Sequence, residues 1–179
     1  MNQSLQTDID EICDLIDFKN LKGMKILLAG GQGFLGRYFV KIIKEINKLQ
    51  NLNIKLTLVD NFVSSNITDQ NSFVSENLTF VRGSIIDKNF VDNLGFFDII
   101  IHAAGIASPF YYRAKPLETL EVSVQGTQNL LELSKINKSK FTFFSSSEIY
   151  GDPDPKQIPI QESYRGNVSS IGPRACYDE

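Results

Sequence analysis

Cysteine and histidine are scarce in this sequence of 179 residues. The two cysteines, Cys13 and Cys176, are too few for a disulfide framework, and the single histidine beside them leaves no ligand set for zinc. We therefore expect no disulfide framework and no metal site. The low cysteine content also favours a reducing, cytoplasmic location.

The chain also lacks a strong charge bias and a long apolar run. A net charge of −3 gives no broad electrostatic reason to bind nucleic acid or an anionic membrane. No apolar run approaches the roughly 18 residues that a membrane-spanning helix needs, and residues 1–8 lack the basic start and apolar stretch of a signal peptide. The hydrophobic content of 42% and charged content of 22% are typical of one globular domain.

Apolar strands and amphipathic helices alternate from Lys25 onward. Short apolar runs predict strands at residues 25–29, 54–59, 78–81, 97–101 and 141–144. Apolar residues at helical spacing predict helices over residues 35–49 and 117–136. Such strands separated by helices predict an α/β fold, a doubly wound parallel sheet of the Rossmann type that is covered on both faces.

Three segments lie outside this alternation. Residues 1–23 predict an N-terminal helical extension, since Ile9, Ile12 and Ile16 fall on one helical face. A helix packed on the domain and a helix that docks a partner both fit that pattern. Residues 61–77 are polar and predict a surface loop, and the prolines within residues 151–173 predict an irregular excursion.

A glycine-rich turn links the first predicted strand to the first long helix. Gly30, Gly33 and Gly36 form the pattern G-x-x-G-x-x-G, which lets backbone N–H groups at a helix N-terminus approach a pyrophosphate. Asp60 ends the second strand, where a carboxylate accepts hydrogen bonds from the adenosine ribose. Such a carboxylate repels the extra phosphate of NADP, so the sequence predicts NAD as the cofactor.

The Gly30–Gly36 turn and the segment Val59–Phe62 resemble the extended short-chain dehydrogenase/reductase family, the NAD-dependent epimerases and dehydratases of nucleotide sugars. The resemblance implies that residues 24–179 are an NAD-binding Rossmann domain. It places further cofactor contacts at Phe34, Leu35, Asn61, Ser84, Ile85, Ala103, Ala104 and Gly105. Two positions depart from the family pattern: Ser84 replaces an Asp that contacts adenine, and Ser123 replaces an Asn.

The resemblance also supplies candidate catalytic residues. Ser146 holds the position of the catalytic Ser or Thr, four residues before Tyr150 of a Tyr-Gly-Asp segment, and Tyr177 holds that of the general base. Glu148 is implied to assist proton handling. Dehydratases have an Asp-Glu pair where this chain has Ser147 and Glu148, so a carboxyl for protonating a departing hydroxyl is missing.

The pair Ser147-Glu148 and the segment Gly172–Glu179 resemble the UDP-glucuronate decarboxylases, or UDP-xylose synthases, in particular. That resemblance implies a lyase that oxidises C4 of a UDP-sugar, releases carbon dioxide and reduces the sugar again, as a homo-oligomer. Tyr112 matches a tyrosine that contacts sugar or phosphate in those enzymes. Two alternatives stay open: a nucleotide-sugar 4-epimerase, and an NAD-binding module without catalysis.

In this family the catalytic tyrosine acts with a lysine four positions further on, which here would be position 181. We therefore expect a C-terminally incomplete domain, truncated before the substrate lobe. We also expect these 179 residues alone to be inactive and to associate through an apolar sheet edge. His102 is interpreted as a hydrogen-bonded structural residue and Cys176 as packing, whereas Arg174 fits either a diphosphate contact or a solvated surface.

Overall fold

The computed structural model describes residues 3–64 and 75–178. Most of the segment 61–77, for which we predicted a surface loop, lies outside the described residues. Five parallel strands form one sheet: β1 Lys25–Ala29, β2 Lys55–Asp60, β3 Leu78–Arg82, β4 Ile99–His102 and β5 Lys140–Phe143. Their order is β3-β2-β1-β4-β5. The chain thus builds outward from β1 to β3 and then crosses to the other side, which confirms the doubly wound fold.

Helices connect and cover the strands. They are α1 Gln3–Leu15, α2 Phe34–Gln50, α3 Lys88–Asp92, α4 Pro109–Ala114, α5 Pro116–Glu121, α6 Thr127–Asn137 and α7 Ala175–Asp178. A π-helical turn, Val122–Gly126, joins α5 to α6, so the long helix predicted over residues 117–136 is continuous but locally widened. Short 3₁₀ turns occupy Lys19–Leu21, Ser147–Tyr150 and Pro155–Gln157, the last within the predicted irregular excursion.

The core lies on both faces of the sheet because the strands are apolar on both sides. Along β1, Ile26 and Leu28 pack in one cluster with α2, whereas Leu27 and Ala29 pack in a second cluster with α6. All four side chains are buried. Alternating strand side chains point to opposite faces, so helices on both sides are needed to remove them from water.

The predicted N-terminal helix is packed on the domain. Ile9 and Cys13 of α1 are buried in the cluster that includes α2, and Tyr38 of α2 donates a hydrogen bond to Asp8 at 3.0 Å. Burial, aided by nearby carboxylates, raises the pKa of the Cys13 thiol and keeps it neutral. The structure therefore favours the packed helix over a docking helix, and the domain division at residue 23 stays a prediction.

The β5 side of the sheet is its more exposed edge. Phe143 and Phe144 are 47% and 40% exposed there. Within the described part of the chain, every helix is too short or too polar to cross a membrane.

Candidate functional site

A cleft of about 480 Å³ opens at the carboxyl ends of β1 to β4, where the strand order reverses. In open α/β sheets this switch point is where ligands bind. Every predicted cofactor residue lines the cleft: Gly30, Gly33, Phe34, Leu35, Gly36, Asp60, Asn61, Ser84, Ile85, Ala103, Ala104 and Gly105. The structure thus brings them together, and their individual binding roles stay predictions.

Two glycines of the turn are required by close backbone approach. Gly30 has φ +84°, and a Cβ there would lie 2.4 Å from the carbonyl oxygen of Ala103. A Cβ on Gly36 would lie 2.5 Å from the carbonyl oxygen of Gly31. The turn therefore presses against the β4 loop on one side and the first turn of α2 on the other, and a side chain at either position would push them apart.

The N-terminus of α2 faces the cleft and suits an anion. Gly33 is its N-cap residue and provides no side-chain hydrogen bond, so the first N–H groups of a 17-residue helix point toward the cleft without a side-chain cap. The charged residues among the described cleft lining are Asp60 and Glu118, both acidic. The negative charge of a pyrophosphate must therefore be met by these N–H groups and the helix dipole, as in other dinucleotide sites.

Asp60 is oriented by the backbone around it. Its Oδ2 accepts a hydrogen bond from the N–H of Gln32 at 2.9 Å, and its Oδ1 accepts one from the N–H of Phe62 at 2.8 Å. Each carboxylate oxygen can accept more than one hydrogen bond, so the group can also receive ribose hydroxyls. Arg82, its neighbour on β3, packs over the ring of Phe62 at 5.6 Å. The residues fit NAD, with its free 2′-hydroxyl, better than NADP.

The wall formed by the loop after β3 is held by a residue that the sequence analysis missed. Asn129 is fully buried, and its Nδ2 donates to the carbonyl oxygens of Ile85 at 2.8 Å and Ile86 at 3.1 Å. Its Oδ1 accepts from Gln125 at 2.9 Å. The sequence did contain a signal for this role, because Asn129 is a polar residue on the apolar face of α6, next to Leu130. By contrast, Ser123 bonds only within its own helical run in the described contacts, donating to Thr119 O at 3.0 Å.

The candidate catalytic hydroxyls meet beside the cleft. Tyr177 Oη donates to Ser146 Oγ at 3.3 Å, and Ser146 Oγ also accepts the N–H of Glu148 at 3.3 Å. With two bonds accepted, the proton of Ser146 is left for a ligand. Because His102 of β4 pairs with Phe143 of β5, the segment that carries Ser146 leaves the sheet next to the cleft-lining residues after β4.

Glu148 and Arg174 form an ion pair across the same site. The Arg174 guanidinium contacts the Glu148 carboxylate and also lies 3.3 Å from Asp178. Both partners of the Glu148 pair are about two-fifths exposed. For Arg174 the sequence left open a diphosphate contact or a solvated surface position. In the structure Arg174 instead joins the Ser147–Tyr150 turn to α7 through these ion pairs.

Tyr112 packs against α7, the helix that carries Cys176 and Tyr177, and does not line the cleft. Tyr112 is 4% exposed, is not among the residues that line the cleft, and stacks on Tyr177 with ring centroids 5.3 Å apart and an interplanar angle of 13°. The Cys176 thiol donates to the Tyr112 carbonyl oxygen at 3.7 Å. The contact of Tyr112 with sugar or phosphate stays a prediction, whereas packing by Cys176 is confirmed.

His102 is a structural residue, as predicted. It is 1% exposed, its Nδ1 accepts the N–H of Ala104 at 3.3 Å, and its ring packs edge-on against Phe143 at 5.2 Å. Burial lowers its pKa to about 4, against a smaller opposing influence from the Val122 backbone. The imidazole is therefore neutral at pH 7 and serves packing.

This pKa predicts an acid-sensitive fold. Because the folded-state pKa lies below the ordinary value of 6.5, the stability due to neutral His102 is full above pH 6.5 and is lost as pH falls toward 4. The loss should reach about 3 kcal/mol. Urea unfolding of wild type and His102→Asn between pH 7 and 4.5 measures it, since carboxylate effects cancel in the difference. A pH-independent difference would contradict this pKa.

Comparisons with known proteins give the family. Residues 26–179 match the model described as the NAD dependent epimerase/dehydratase family. UDP-glucuronic acid decarboxylase 2 of Arabidopsis thaliana is 35% identical over 159 residues, which cover 88% of this chain and 33% of that protein. UDP-glucuronic acid decarboxylase 1 of Xenopus tropicalis is 33% identical over 179 residues, which cover 99% and 40%. The chain thus spans about a third to two-fifths of the length of these curated relatives.

Solved structures share the fold. UDP-glucose 4-epimerase of Thermotoga maritima, solved with UDP-glucose, superposes with a TM-score of 0.67 at 23% identity, over 87% of this chain and 48% of that one. The dTDP-glucose 4,6-dehydratase of Streptomyces venezuelae, solved with NAD, gives 0.63 at 26% identity, over 73% and 42%. Together with the cleft and its glycine turn, these matches show that the chain belongs to the NAD dependent epimerase/dehydratase family of enzymes and that its cofactor is NAD.

Proposed function

We propose that the protein to which these residues belong decarboxylates UDP-glucuronate. The observation that carries the proposal is the hydroxyl pair of Tyr177 and Ser146, 3.3 Å apart beside the cofactor cleft. Such a pair suits removal of a proton from a sugar hydroxyl during its oxidation. Identities of 33–35% with UDP-glucuronic acid decarboxylases support the choice of substrate.

Each residue of the pair has a distinct task in this proposal. When bound, NAD supplies the hydride acceptor for the oxidation of C4 and the hydride donor for the later reduction. As the phenolate, Tyr177 Oη takes the proton from the C4 hydroxyl and becomes the neutral phenol, and the proton of Ser146 holds that hydroxyl in place. The oxidised sugar is a β-keto acid, which loses carbon dioxide without a strong acid from the protein.

Glu148 is the third member of the proposed machinery. Its carboxylate assists the delivery of a proton from water to C5 once carbon dioxide has left. Arg174 fixes the direction of that carboxylate through their ion pair. Ser147 has no carboxyl where dehydratases have an Asp, so protonation of a departing hydroxyl, and hence dehydration, is disfavoured.

Incubating the whole protein with UDP-glucuronate labelled with ¹³C in its carboxyl group tests the proposal. We expect labelled carbon dioxide and a UDP-pentose. Epimerisation of a neutral UDP-sugar, with no carbon dioxide from the uronate, would move the assignment to a nucleotide-sugar 4-epimerase. In parallel, residues 1–179 alone are expected to bind NAD without turnover, since they span only a third to two-fifths of the relatives' length.

We also propose that the protein is a homo-oligomer. The helical run from α5 through α6 exposes apolar side chains in a row, and Phe143 of β5 and the following Phe144 expose aromatic rings at the sheet edge. The helical residues of this row are Leu117, Leu120, Val124 and Leu131. Exposed apolar surface of this kind is typical of protein interfaces.

A further inference from the structure

Tyr112 lies in α4 and is buried against the segment that carries Tyr177. The N–H of Tyr112 donates to Ser108 O at 3.0 Å, so its place in the first turns of α4 is fixed by the helix itself. Its ring lies nearly parallel to that of Tyr177, at 13° and 5.3 Å. We infer that Tyr112 is a positioning residue that sets the orientation of the Tyr177 phenol. This inference rests on the proposed function, in which Tyr177 is the proton acceptor.

The helix that carries Tyr177 needs such a support. α7 has four residues, and one helical turn is not stable without tertiary contacts. Tyr112 provides two contacts to consecutive residues: its ring stacks on Tyr177, and its carbonyl oxygen accepts the thiol of Cys176 at 3.7 Å. Contacts to two side chains that project about 100° apart fix the rotation of α7 about its axis.

The ion pair of Arg174 and Glu148 cannot fix this orientation alone. Both side chains are about two-fifths exposed, and pairs at such sites are screened by water and salt. The pair holds the start of α7 near the Ser147–Tyr150 turn and leaves the tilt of the phenol undetermined. Tyr112, at 4% exposure, provides a buried ring contact that resists tilting.

The orientation of the Tyr177 ring matters because the hydrogen bond between Tyr177 and Ser146 tolerates little further lengthening. The separation of Tyr177 Oη and Ser146 Oγ is 3.3 Å, already longer than the usual distance of about 2.5–3.0 Å between two hydrogen-bonded hydroxyls. A small tilt of the ring would break the contact. Because Tyr112 does not line the cofactor cleft, its loss should change turnover and leave NAD affinity nearly unchanged.

Nuclear magnetic resonance on residues 1–179 tests the inference without reference to any reaction. In wild type and Tyr112→Phe, the ring protons of Tyr177 should show an Overhauser contact to the β-protons of Ser146 and upfield shifts from stacking. Tyr112→Leu should lose both. The matched control Tyr111→Leu removes the neighbouring ring of α4, which packs on Phe110, and should keep both. Retention of the Ser146 contact in Tyr112→Leu would overturn the inference.

Two further measurements keep the inference testable if Tyr112→Leu fails to fold or if the proposed function is wrong. If Tyr112→Leu does not fold, the wild type still decides, because absence of a contact between the rings of Tyr112 and Tyr177 would overturn the inference. In the whole protein, Tyr112→Leu should lower kcat about a hundredfold with NAD affinity within about twofold, and Tyr112→Phe should recover at least tenfold of that loss. A whole protein without sugar oxidation would contradict the proposed function, whereas the resonance data would still decide the role of Tyr112.

Discussion

Gly30→Ala is expected to weaken NAD binding severely. An alanine in the left-handed conformation costs about 1–2 kcal/mol, and its Cβ would lie 2.4 Å from Ala103 O and 2.7 Å from Ala104 N. Both contacts are with backbone, which cannot rotate away. The turn must therefore separate from the β4 loop, and both segments line the cleft. We expect NAD affinity to fall at least about a hundredfold, which corresponds to about 2.8 kcal/mol.

Gly105→Ala is the matched control for the effect of this substitution on stability. Gly105 also lines the cleft, but a Cβ there would meet no protein atom within 4 Å. Its melting temperature should equal that of wild type, whereas Gly30→Ala should melt earlier. Calorimetric titration measures the NAD affinity of each variant, and thermal unfolding measures its melting temperature. Wild-type NAD affinity in Gly30→Ala would show that the turn does not form the pyrophosphate site.

The second large effect concerns turnover of the whole protein. Tyr177→Phe removes the proposed proton acceptor. Ser146→Ala removes its hydrogen-bond partner, whose hydroxyl is proposed to hold the sugar hydroxyl. Proposed acid–base groups of this kind contribute about 10²- to 10⁴-fold, so each variant should lower kcat by that factor. NAD affinity should stay close to wild type, because neither residue lines the cleft.

Neighbouring residues of the same type serve as controls for these variants. Ser145→Ala changes the exposed serine beside Ser146, and Tyr164→Phe changes a tyrosine that packs on Tyr150. Steady-state rates with UDP-glucuronate should fall in Tyr177→Phe and Ser146→Ala and should stay close to wild type in the two control variants. The combined variant Tyr177→Phe with Ser146→Ala should lose little more than Tyr177→Phe alone, because groups that act as a unit are not additive. Independent, multiplying losses would show that the two hydroxyls act separately.

The sheet and the cofactor cleft were predictable because their determinants are local in sequence. Each strand is a short apolar run, and the carboxyl ends of parallel strands must meet at one edge of the sheet. Gly30 directly follows β1 and Asp60 ends the adjacent β2, so their meeting in the cleft follows from strand order alone. The position of β4 beside β1 then brings Ala103 against Gly30.

Other parts of the site depend on packing that the sequence does not display. Glu118 reaches the cleft only through the docking of α5, and no spacing rule links it to the glycine turn. The stack of Tyr112 on Tyr177 joins residues far apart in the chain, and the family resemblance directed attention to a ligand contact instead. Arg174 likewise finds Glu148 through the approach of α7 to the Ser147–Tyr150 turn.

The cleft lining contains two carboxylates, Asp60 and Glu118, and replacing each in turn distinguishes a carboxylate that binds the ribose from one that only contributes negative charge. Asp60→Ala removes the group that is predicted to bind the adenosine ribose and that also holds the N–H groups of Gln32 and Phe62. Glu118→Ala removes the other acidic residue of the described lining. Removing a negative charge near a pyrophosphate should maintain or strengthen NAD binding unless that charge accepts a hydrogen bond from the cofactor.

Calorimetric titration of residues 1–179 with NAD, for wild type, Asp60→Ala and Glu118→Ala, tests the central claim most directly. We predict saturable binding by wild type, and a loss of roughly 1.5–3 kcal/mol, or about tenfold or more, in Asp60→Ala, because the ribose loses a charged acceptor. Glu118→Ala should bind NAD at least as well as wild type. Equal NAD affinity in wild type and Asp60→Ala would contradict the claim that the adenosine ribose lies at the end of β2.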